Sequence, residues 1–369
     1  MTGFRWPAGG PDPDRFGREY WQEQPLLLPD ALPFAPPLDP DDIAGLATLA
    51  GVEAQVIRTV PGPNGPGYRV QHGPFTDAQL MALGERDWTL LVHDVDKHLP
   101  EAATLLRTLC FLPHWRLDNL MVSVAAPGGS VGAHADSYDV FLLQGHGTRR
   151  WQLAPAGAGT PVAESSLRLR QDVVFTQAHT CHCGDILYVP PGTIHHGVAQ
   201  SLATTWSLGL QAPLLADIAA LAGGRLDPDI PSKARYRDPI GTVPTAHAIQ
   251  ALDPDALGQL PIRDAGITEI AVAFGRLVTA LKPSLQQAPA NANTARCRHL
   301  SPLARLAWVN IGHRYLVFAN GQASHTDAAG IEAMEHLQAT HGWPADGPTD
   351  LHRWLVGTAA LLPTVAPCA

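Results

Sequence analysis

Between residues 116 and 210 the chain breaks into short apolar or alternating runs, and this pattern limits the possible folds more than any other feature. Glycine and proline bound the runs, and no long helical pattern separates them. Such runs predict an antiparallel barrel or a double-sheet jelly roll. Inward side chains of neighbouring strands converge inside a small barrel, so the interior can hold a metal. The runs are LMVSVAA, VGAHADSYDVFLLQG, RRWQLAP, DILYVPPG and TTWSLGLQA.

The regions on either side have other periodicities. Near the start, a helix is predicted in DPDDIAGLATLAG, with Asp39 to Asp42 as its cap and first-turn charges. Residues 211–290 carry apolar residues at spacings of three and four and are predicted to be mostly helical. The apolar face of this section is either a dimer surface or a surface that packs on the barrel, and the pattern leaves both open.

The tail from residue 299 reads as strand, strand and helix, and Asn320-Gly321 is a candidate type I′ turn. This order is similar to a small winged-helix module. We therefore predict an α+β protein with three domains, which are a β-barrel domain at 1–210, a helical domain at 211–290 and a winged-helix-like domain at 291–369.

Composition narrows the class of protein. With 369 residues, 45% hydrophobic and 16% charged, the chain is expected to be a soluble globular protein of more than one domain. It has no apolar run long enough for a membrane span and no basic-then-apolar leader, and its five cysteines form no disulfide framework. A cytoplasmic location is expected. The net charge of −9 and the acidic stretch at 328–340 argue against direct DNA binding.

The triplet His134-Ala135-Asp136 and the later His195 supply two imidazoles and one carboxylate. In the order HxD…H, this ligand set caps one face of an octahedral metal in non-haem Fe(II) oxygenases and leaves the opposite face open. Side chains at i and i+2 of a strand point to the same side, so His134 and Asp136 are predicted to reach one ion together. His195 is predicted to join them from a distant strand, after the turn in YVPPGTIHHG.

Neighbouring residues offer alternatives to this triad. His196 competes with His195, and only one of two adjacent strand residues can point inward. Asp139 is another carboxylate, although its odd offset from His134 turns it away on a regular strand. Asp136 could also be a turn or cap residue.

Three further features bear on chemistry. Cys181-His182-Cys183 offers soft ligands, but no CxxC completes a tetrahedral site, so we interpret it as a loop before a strand. Either Arg149 or Arg150 could reach into the barrel and bind a carboxylate through a bidentate fork, unless the pair is a solvated surface feature. Ser123 and Ser207 stand at predicted inward positions, where they either bind a small acid or pack in the barrel.

Several longer motifs of the first 210 residues can be compared with known families. They are FGREYWQEQPLLLPDAL, VQHGPF, DWTLLVHDVDKH, LPHWRLDNLMVSVAAPGG, PGGSVGAHADSYDVFLLQGHGTRRWQL and GDILYVPPGTIHHGVA. In these motifs the sequence resembles the JmjC-type ribosomal oxygenases of bacteria. The likeness covers about the first 210 residues, and the order of the later sections matches by pattern.

This resemblance implies a double-stranded β-helix of the cupin type and a hydroxylase that depends on Fe(II) and 2-oxoglutarate. It implies that His134, Asp136 and His195 bind iron, since the pattern PPG-x-x-H selects His195. It also implies that Arg149 binds the far carboxylate of 2-oxoglutarate and that Ser123 lines the pocket. The implied substrate is an arginine β-carbon in ribosomal protein L16, and the implied assembly is a homodimer through the helical section.

Two other functions remain open at this point. One is a JmjC-type hydroxylase that acts on histidine in another ribosomal protein, or on lysine. The other is a non-catalytic metal-binding cupin that regulates through the winged-helix-like tail.

Overall fold

The computed structural model divides the chain into two compact units. The first comprises Met1–Phe111, Leu117–Gln211 and Ile240–Val243, and the second Leu112–Arg116, Ala212–Pro239 and Pro244–Ala369. No helix in the described part of the chain is long and apolar enough to cross a membrane. The structure describes residues 5–8, 10–32, 38–62, 65–99, 102, 112, 114–163, 165, 167–210, 212–239, 252–281, 297–301, 303–312 and 314–363.

The first unit is built mainly of antiparallel strands, with short helices near its beginning. The helices are α1 (Pro13–Glu19), α2 (Pro40–Leu46), α3 (Asp77–Met81) and α4 (Val95–His98). The strands are β1 (Leu26–Leu28), β2 (Ala54–Gly62), β3 (Gly65–His72), β4 (Trp88–Val92), β5 (Leu117–Ala125), β6 (Asp139–His146), β7 (Arg149–Ala154), β8 (Thr160–Pro161), β9 (Arg170–Gln171), β10 (Gln177–Cys181), β11 (Ile186–Val189), β12 (Ile194–Ala199) and β13 (Ala203–Leu210).

Two sheets form the body of this unit. The larger has the order β1-β11-β6-β13-β5-β4-β2-β3 and the smaller the order β10-β7-β12. Every residue of β13 and all but the last of β6 are buried, because both strands lie inside the larger sheet. Residues of both sheets share one apolar core, in which Leu142 and Leu187 of the larger sheet meet Trp151 and Leu153 of the smaller. The predicted two-sheet antiparallel architecture is confirmed.

The cap of α2 and the hairpin of β2 and β3 can be related to the local sequence. Asp39 caps α2 as predicted, because its side chain accepts hydrogen bonds from the backbone of Asp41 and Asp42. In the segment PGPNGPG at 61–67, β2 runs to Gly62 and β3 begins at Gly65. The two strands therefore continue as a hairpin almost to its tip, because cross-strand pairing extends to Gly62 and Gly65.

A buried hydrogen-bond network fastens the segment after α1 to the larger sheet. The Tyr188 hydroxyl donates to Asp139 Oδ1 at 2.5 Å and accepts from the backbone N–H of Gln22 at 2.7 Å. The Gln22 side chain donates to Asp139 Oδ2 at 2.9 Å. Asp139, weighed above as an alternative metal ligand, is thus committed to a structural role away from the triad.

We expect Tyr188→Phe to lower the free energy of unfolding of the protein by about 1–3 kcal/mol, because a buried carboxylate loses a donor and a buried N–H loses its acceptor. Urea denaturation followed by circular dichroism measures the change. Tyr20→Phe is the matched control, since Tyr20 is only half-buried and its ring stacks on Phe16. Equal stability of the two variants would contradict the role of this network.

The second unit combines helices with small antiparallel sheets. Its helices are a 3₁₀ turn (His114–Arg116), α5 (Leu215–Leu221), α6 (Pro254–Gly258), α7 (Ile267–Thr279), α8 (Ala328–Thr340) and α9 (Thr349–Gly357). Its strands are β14 (Arg225–Leu226), β15 (Ile262–Arg263), β16 (Cys297–Leu300), β17 (Leu306–Ile311), β18 (Arg314–Ala319), β19 (Gln322–Thr326) and β20 (Leu361–Pro363). Within 211–290, α5 to α7 agree with the helical prediction, while residues 240–251 and 282–290 lie outside the described residues.

One core joins α5, α6 and α7 to the hairpin of β17 and β18. Phe274 of α7 and Phe318 of β18 are both buried in it. Gly275 permits the close approach of helix and strand, since a Cβ there would lie 2.4 Å from the Phe318 ring. Asn320 and Gly321 join β18 to β19 with φ of 48° and 81°, which agrees with the predicted type I′ turn.

Candidate active site

The structure brings His134, Asp136 and His195 together. One ligand atom from each residue lies within 4.8 Å of the others. His195 Nε2 stands 3.7 Å from Asp136 Oδ2, and the two imidazole centroids are 4.3 Å apart. Among the His, Cys, Asp and Glu side chains of the described residues, these three lie close enough together to share a metal ion.

The backbone holds this group in place. His134 and His195 form an isolated antiparallel bridge, with N–H···O distances of 3.1 and 2.8 Å in the two directions. The carbonyl of Asp136 accepts from the N–H of Gly192 at 2.8 Å, in the turn that leads into β12. The chain before β6 is thereby tied to the chain before and within β12, although 61 positions separate the two histidines.

The expectation that His134 and Asp136 share a regular strand is wrong. β6 begins only at Asp139, and His134 has no strand pairing beyond its bridge to His195. Gly128 and Gly132 lie between the end of β5 and His134 and take φ of 83° and 84°, and this left-handed backbone prevents β5 from continuing toward His134. The two side chains converge through a loop rather than through strand alternation.

Both imidazoles are oriented in the same way. Nδ1 of His134 lies 3.0 Å from the carbonyl of Gly132, and Nδ1 of His195 lies 3.1 Å from the carbonyl of Thr193. We assign the proton to Nδ1 in each, since only an N–H can bond to a carbonyl, and this leaves the Nε2 lone pair free for a metal. Burial, reinforced by the neighbouring charge of His134, lowers the pKa of His195 to about 4. The ring is therefore neutral near pH 7, which is the form that binds metals.

Arg149 lies at the start of β7 and is 5% exposed. Its Nη1 donates to Ser123 Oγ at 3.2 Å, while Nε and Nη2 have no hydrogen-bond partner among the described residues. Burial lowers the pKa of the guanidinium to about 10, so it remains charged near neutral pH. A buried guanidinium with two free donors suits a carboxylate, which it can bind with two parallel hydrogen bonds.

The position of β7 decides between the two arginines that begin it. β7 pairs with β10 and β12 in the smaller sheet. The chain crosses from one sheet to the other at Gly147, where φ is 61°. Arg149 then faces the interior and Arg150 is exposed, which resolves the choice between them.

A cavity of about 200 Å³ connects these groups. The six residues predicted to bind the metal or a small acid line it, together with polar and apolar residues that sequence reasoning missed, and the six are Ser123, His134, Asp136, Arg149, His195 and Ser207. Alternation along β5 could have found two of them, because Asn119 and Met121 share a face with Ser123. The missed residues include His93, Asn119, Met121, Tyr138, Trp151 and Leu167.

Trp151 is the missed residue with the clearest structural role. Its ring lies 5.9 Å from the His195 ring and 5.7 Å from the Arg149 guanidinium carbon, so it packs against both. Gly197 on the adjacent strand makes room for it, since a Cβ there would lie 2.6 Å from the indole. A lone tryptophan in a β-rich sequence gives no signal of such a position.

The remaining candidates lie apart from the triad. His196 stacks against Phe175 at 5.9 Å and is half-buried. Cys181 is buried at the end of β10, directly opposite Arg149 in the ladder. Cys183 is exposed, and its thiol donates to the carbonyl of Gly145 at 2.9 Å.

We expect the two cysteines to differ in reactivity at pH 8. Burial raises the pKa of Cys181 to about 12, so this thiol stays protonated and shielded, whereas Cys183 is open to solvent. Alkylation with iodoacetamide and peptide mapping should therefore modify Cys183 and spare Cys181. In denaturant both should react, and rapid modification of Cys181 in the folded protein would contradict the expectation.

Comparison with known proteins places this site in a family. Residues 104–218 match the model of the JmjC domain. The chain carries a JmjC domain. The first unit, with its antiparallel sheets, has the JmjC cupin fold.

Curated relatives extend this result. The chain is 35% identical to the ribosomal protein uL16 3-hydroxylase of Escherichia coli K12, over 60% of this chain and 62% of the relative. It is 36% identical to a probable ribosomal oxygenase of Haemophilus influenzae, over 56% of this chain and 51% of the relative. The chain thus spans half to three fifths of the length of these curated relatives. The resemblance to bacterial ribosomal oxygenases is confirmed.

Solved structures align over nearly the whole chain. The X-ray structure of Escherichia coli YcfD gives a TM-score of 0.71 at 26% identity, covering 98% of this chain and 99% of that one. A structure of YcfD, described as a ribosomal oxygenase, in complex with cobalt and 2-oxoglutarate gives a TM-score of 0.65 at 27% identity. It covers 95% of this chain and 97% of that one.

Proposed function

We propose that this chain is an Fe(II)- and 2-oxoglutarate-dependent oxygenase that hydroxylates the β-carbon of an arginine in ribosomal protein L16 of the large subunit. The observation that carries the proposal is one cavity that contains both a three-residue metal-ligand set and a buried arginine with free donors. The name of the relative from Escherichia coli, uL16 3-hydroxylase, supports the substrate.

His134, Asp136 and His195 would hold the iron. Two neutral imidazoles and one carboxylate suit Fe(II), and three ligands on one side leave positions for other molecules. The Nδ1 hydrogen bonds to backbone carbonyls fix both rings with Nε2 turned toward the shared point. Iron in this site would supply the oxygen activation needed to hydroxylate an unactivated C–H bond.

Arg149 would bind the carboxylate of 2-oxoglutarate that lies farther from the iron. Its Nη1 is fixed by Ser123, and its other donors are free to bind that carboxylate. Ser123 and Ser207 line the same cavity, where their hydroxyls would contact the cosubstrate. A structure of YcfD contains cobalt and 2-oxoglutarate together, which supports this assignment.

The chain's own residues would orient the cosubstrate and exclude water. Apolar side chains of Ile57, Leu91, Val131 and Leu142 line the cavity beside the polar groups. Such walls strengthen the electrostatic interactions inside a site and shield it from side reactions. Hydrogen removal from a C–H bond needs no general base, so we assign none.

The decisive experiment adds O₂ to an anaerobic mixture of protein, Fe(II), 2-oxoglutarate and candidate ribosomal peptides. A mass gain of one oxygen on an L16 arginine peptide, absent with His134→Ala, is the expected result. Oxygen on a histidine or lysine peptide would instead favour the related hydroxylases. No oxygen on any peptide, with metal bound, would favour a non-catalytic cupin that regulates through its tail.

We further propose that residues 211–290 form a dimerisation domain, that 291–369 form a winged-helix-like domain and that the protein is a cytoplasmic homodimer. A sheet of three strands beside α8 and α9 is consistent with a winged helix. The charged side chains of α8 are Glu332 and Glu335, which favours a protein partner over DNA. Light scattering of the full chain tests the dimer.

A further inference from the structure

The Gln144 side chain lies on β6 and is 1% exposed. Its amide Nε2 donates to the carbonyl of His146 at 2.7 Å and points toward that of Gly147 at 3.5 Å. Its Oε1 accepts from Thr205 Oγ1 at 3.2 Å. A buried amide needs such partners, but an apolar side chain would fill the same space without any.

The hydrogen bonds of Gln144 Nε2 involve the backbone turn that precedes Arg149. His146 ends β6, and Arg149 begins β7 three residues later, so the turn between them is where the chain crosses between the two sheets. Gln144 holds this turn from inside through the two carbonyls. The turn has little room to relax, since a Cβ on Gly147 would lie 2.0 Å from the carbonyl oxygen of Leu202.

The second contact leads to the Arg149 side chain. Gln144, Thr205 and Ser123 are directly opposite one another on the adjacent strands β6, β13 and β5. The Thr205 hydroxyl donates to Gln144, and the Thr205 carbonyl accepts from Ser123 Oγ at 3.3 Å. Ser123 Oγ in turn accepts from Arg149 Nη1 at 3.2 Å. Gln144 therefore supports Arg149 from two directions, through its backbone and through its guanidinium.

We infer that Gln144 is a positioning residue that aims the Arg149 guanidinium at the far carboxylate of 2-oxoglutarate. The inference rests on the proposed function, because it takes Arg149 as the group that binds this carboxylate. Gln144 itself is not among the described residues that line the cavity. Its effect should therefore be confined to ligands that carry the far carboxylate.

The test compares Gln144→Met with wild-type protein, both loaded with Co(II), by calorimetric titration. Methionine keeps the length of the side chain and removes its amide. The dissociation constant of 2-oxoglutarate should rise about tenfold, the change expected when a net hydrogen-bonding contribution is lost. The dissociation constant of 2-oxovalerate, a 2-oxo acid without the far carboxylate, should stay the same. The dissociation constant of Co(II) should also stay the same.

Two further variants complete the design. Thr205→Val removes the hydroxyl that bonds to Gln144 and should weaken 2-oxoglutarate binding in the same selective way. Leu143→Met changes the residue of β6 that precedes Gln144 and is equally buried, and it should leave all three dissociation constants unchanged. If Gln144→Met does not fold, the Thr205→Val result decides.

Three outcomes would overturn the inference. Unchanged 2-oxoglutarate binding in both Gln144→Met and Thr205→Val would show that Arg149 is held without Gln144. Equal weakening for both 2-oxo acids and Co(II) would show a purely structural role. Wild-type protein that binds Co(II) but not 2-oxoglutarate would overturn the proposed function and this inference with it.

Discussion

Asp136→Ala is expected to abolish iron binding and hydroxylation while the fold stays intact. The change removes the single carboxylate of the ligand set, so a divalent cation would face two neutral imidazoles alone. Mutation of a residue that only supports a metal ligand already weakens metal affinity about 10–100-fold. Removal of a direct ligand should therefore weaken metal affinity by more than this. The Asp136 side chain is 27% exposed and precedes β6, so its removal leaves no buried cavity.

Calorimetric titration with Co(II) measures the affinity, and circular dichroism checks the fold. Asp77→Ala is the matched control, because it removes an exposed carboxylate from the same unit at the start of α3. Wild-type affinity in the Asp136→Ala variant would exclude this residue as a ligand. The proposed iron site would then need another carboxylate.

Arg149→Met is expected to weaken 2-oxoglutarate binding by about 100-fold or more, because truncating one partner of a buried charge pair typically removes several kcal/mol. The guanidinium retains its charge near neutral pH although burial lowers its pKa to about 10, so it is available to the carboxylate. Metal binding should persist, since Arg149 is outside the ligand set.

Thermal unfolding gives a second measurement of the same effect. In wild-type protein, 2-oxoglutarate at 100 times its dissociation constant should add roughly 2.7 kcal/mol of stability, and at the same concentration this gain should fall to about 0.4 kcal/mol or less in Arg149→Met. Without the ligand, Arg149→Met should be at least as stable as wild type, because it removes a buried charge that is only partly hydrogen-bonded.

Arg150→Met provides the matched control, since Arg150 is the next residue of β7 but is exposed. It should bind 2-oxoglutarate like wild-type protein. The reverse pattern, with normal binding in Arg149→Met and weak binding in Arg150→Met, would show that the guanidinium on the outer face is the one that matters.

Much of the site could be predicted because its chemistry depends on residue types that stand out. The order HxD…H selects two histidines and one aspartate from the sequence, and the structure brings these three side chains together. The Asn320-Gly321 turn was equally clear, since both positions need a left-handed backbone that few other residues adopt.

Other features depended on pairing that no local pattern encodes. Alternation predicted His134 and Asp136 on one strand, but β6 begins only at Asp139 and both residues lie in the loop before it. The choice between Arg149 and Arg150 followed from β7 joining the smaller sheet, which depends on where the chain crosses at Gly147. Trp151 entered the site through a gap left by Gly197 on a neighbouring strand.

The sequence by itself determined the kind of chemistry this protein can support, namely three metal-binding side chains and an arginine in a β-rich region. It also determined the short apolar or alternating runs that favour an antiparallel barrel or a double-sheet jelly roll. Only the tertiary structure decided which atoms meet. It did so through the backbone bridge of His134 with His195 and through the buried series of hydrogen bonds that links Gln144 to Arg149. The physical reason is that ligand identity is a property of single residues, whereas convergence depends on hydrogen bonds between segments far apart in the chain.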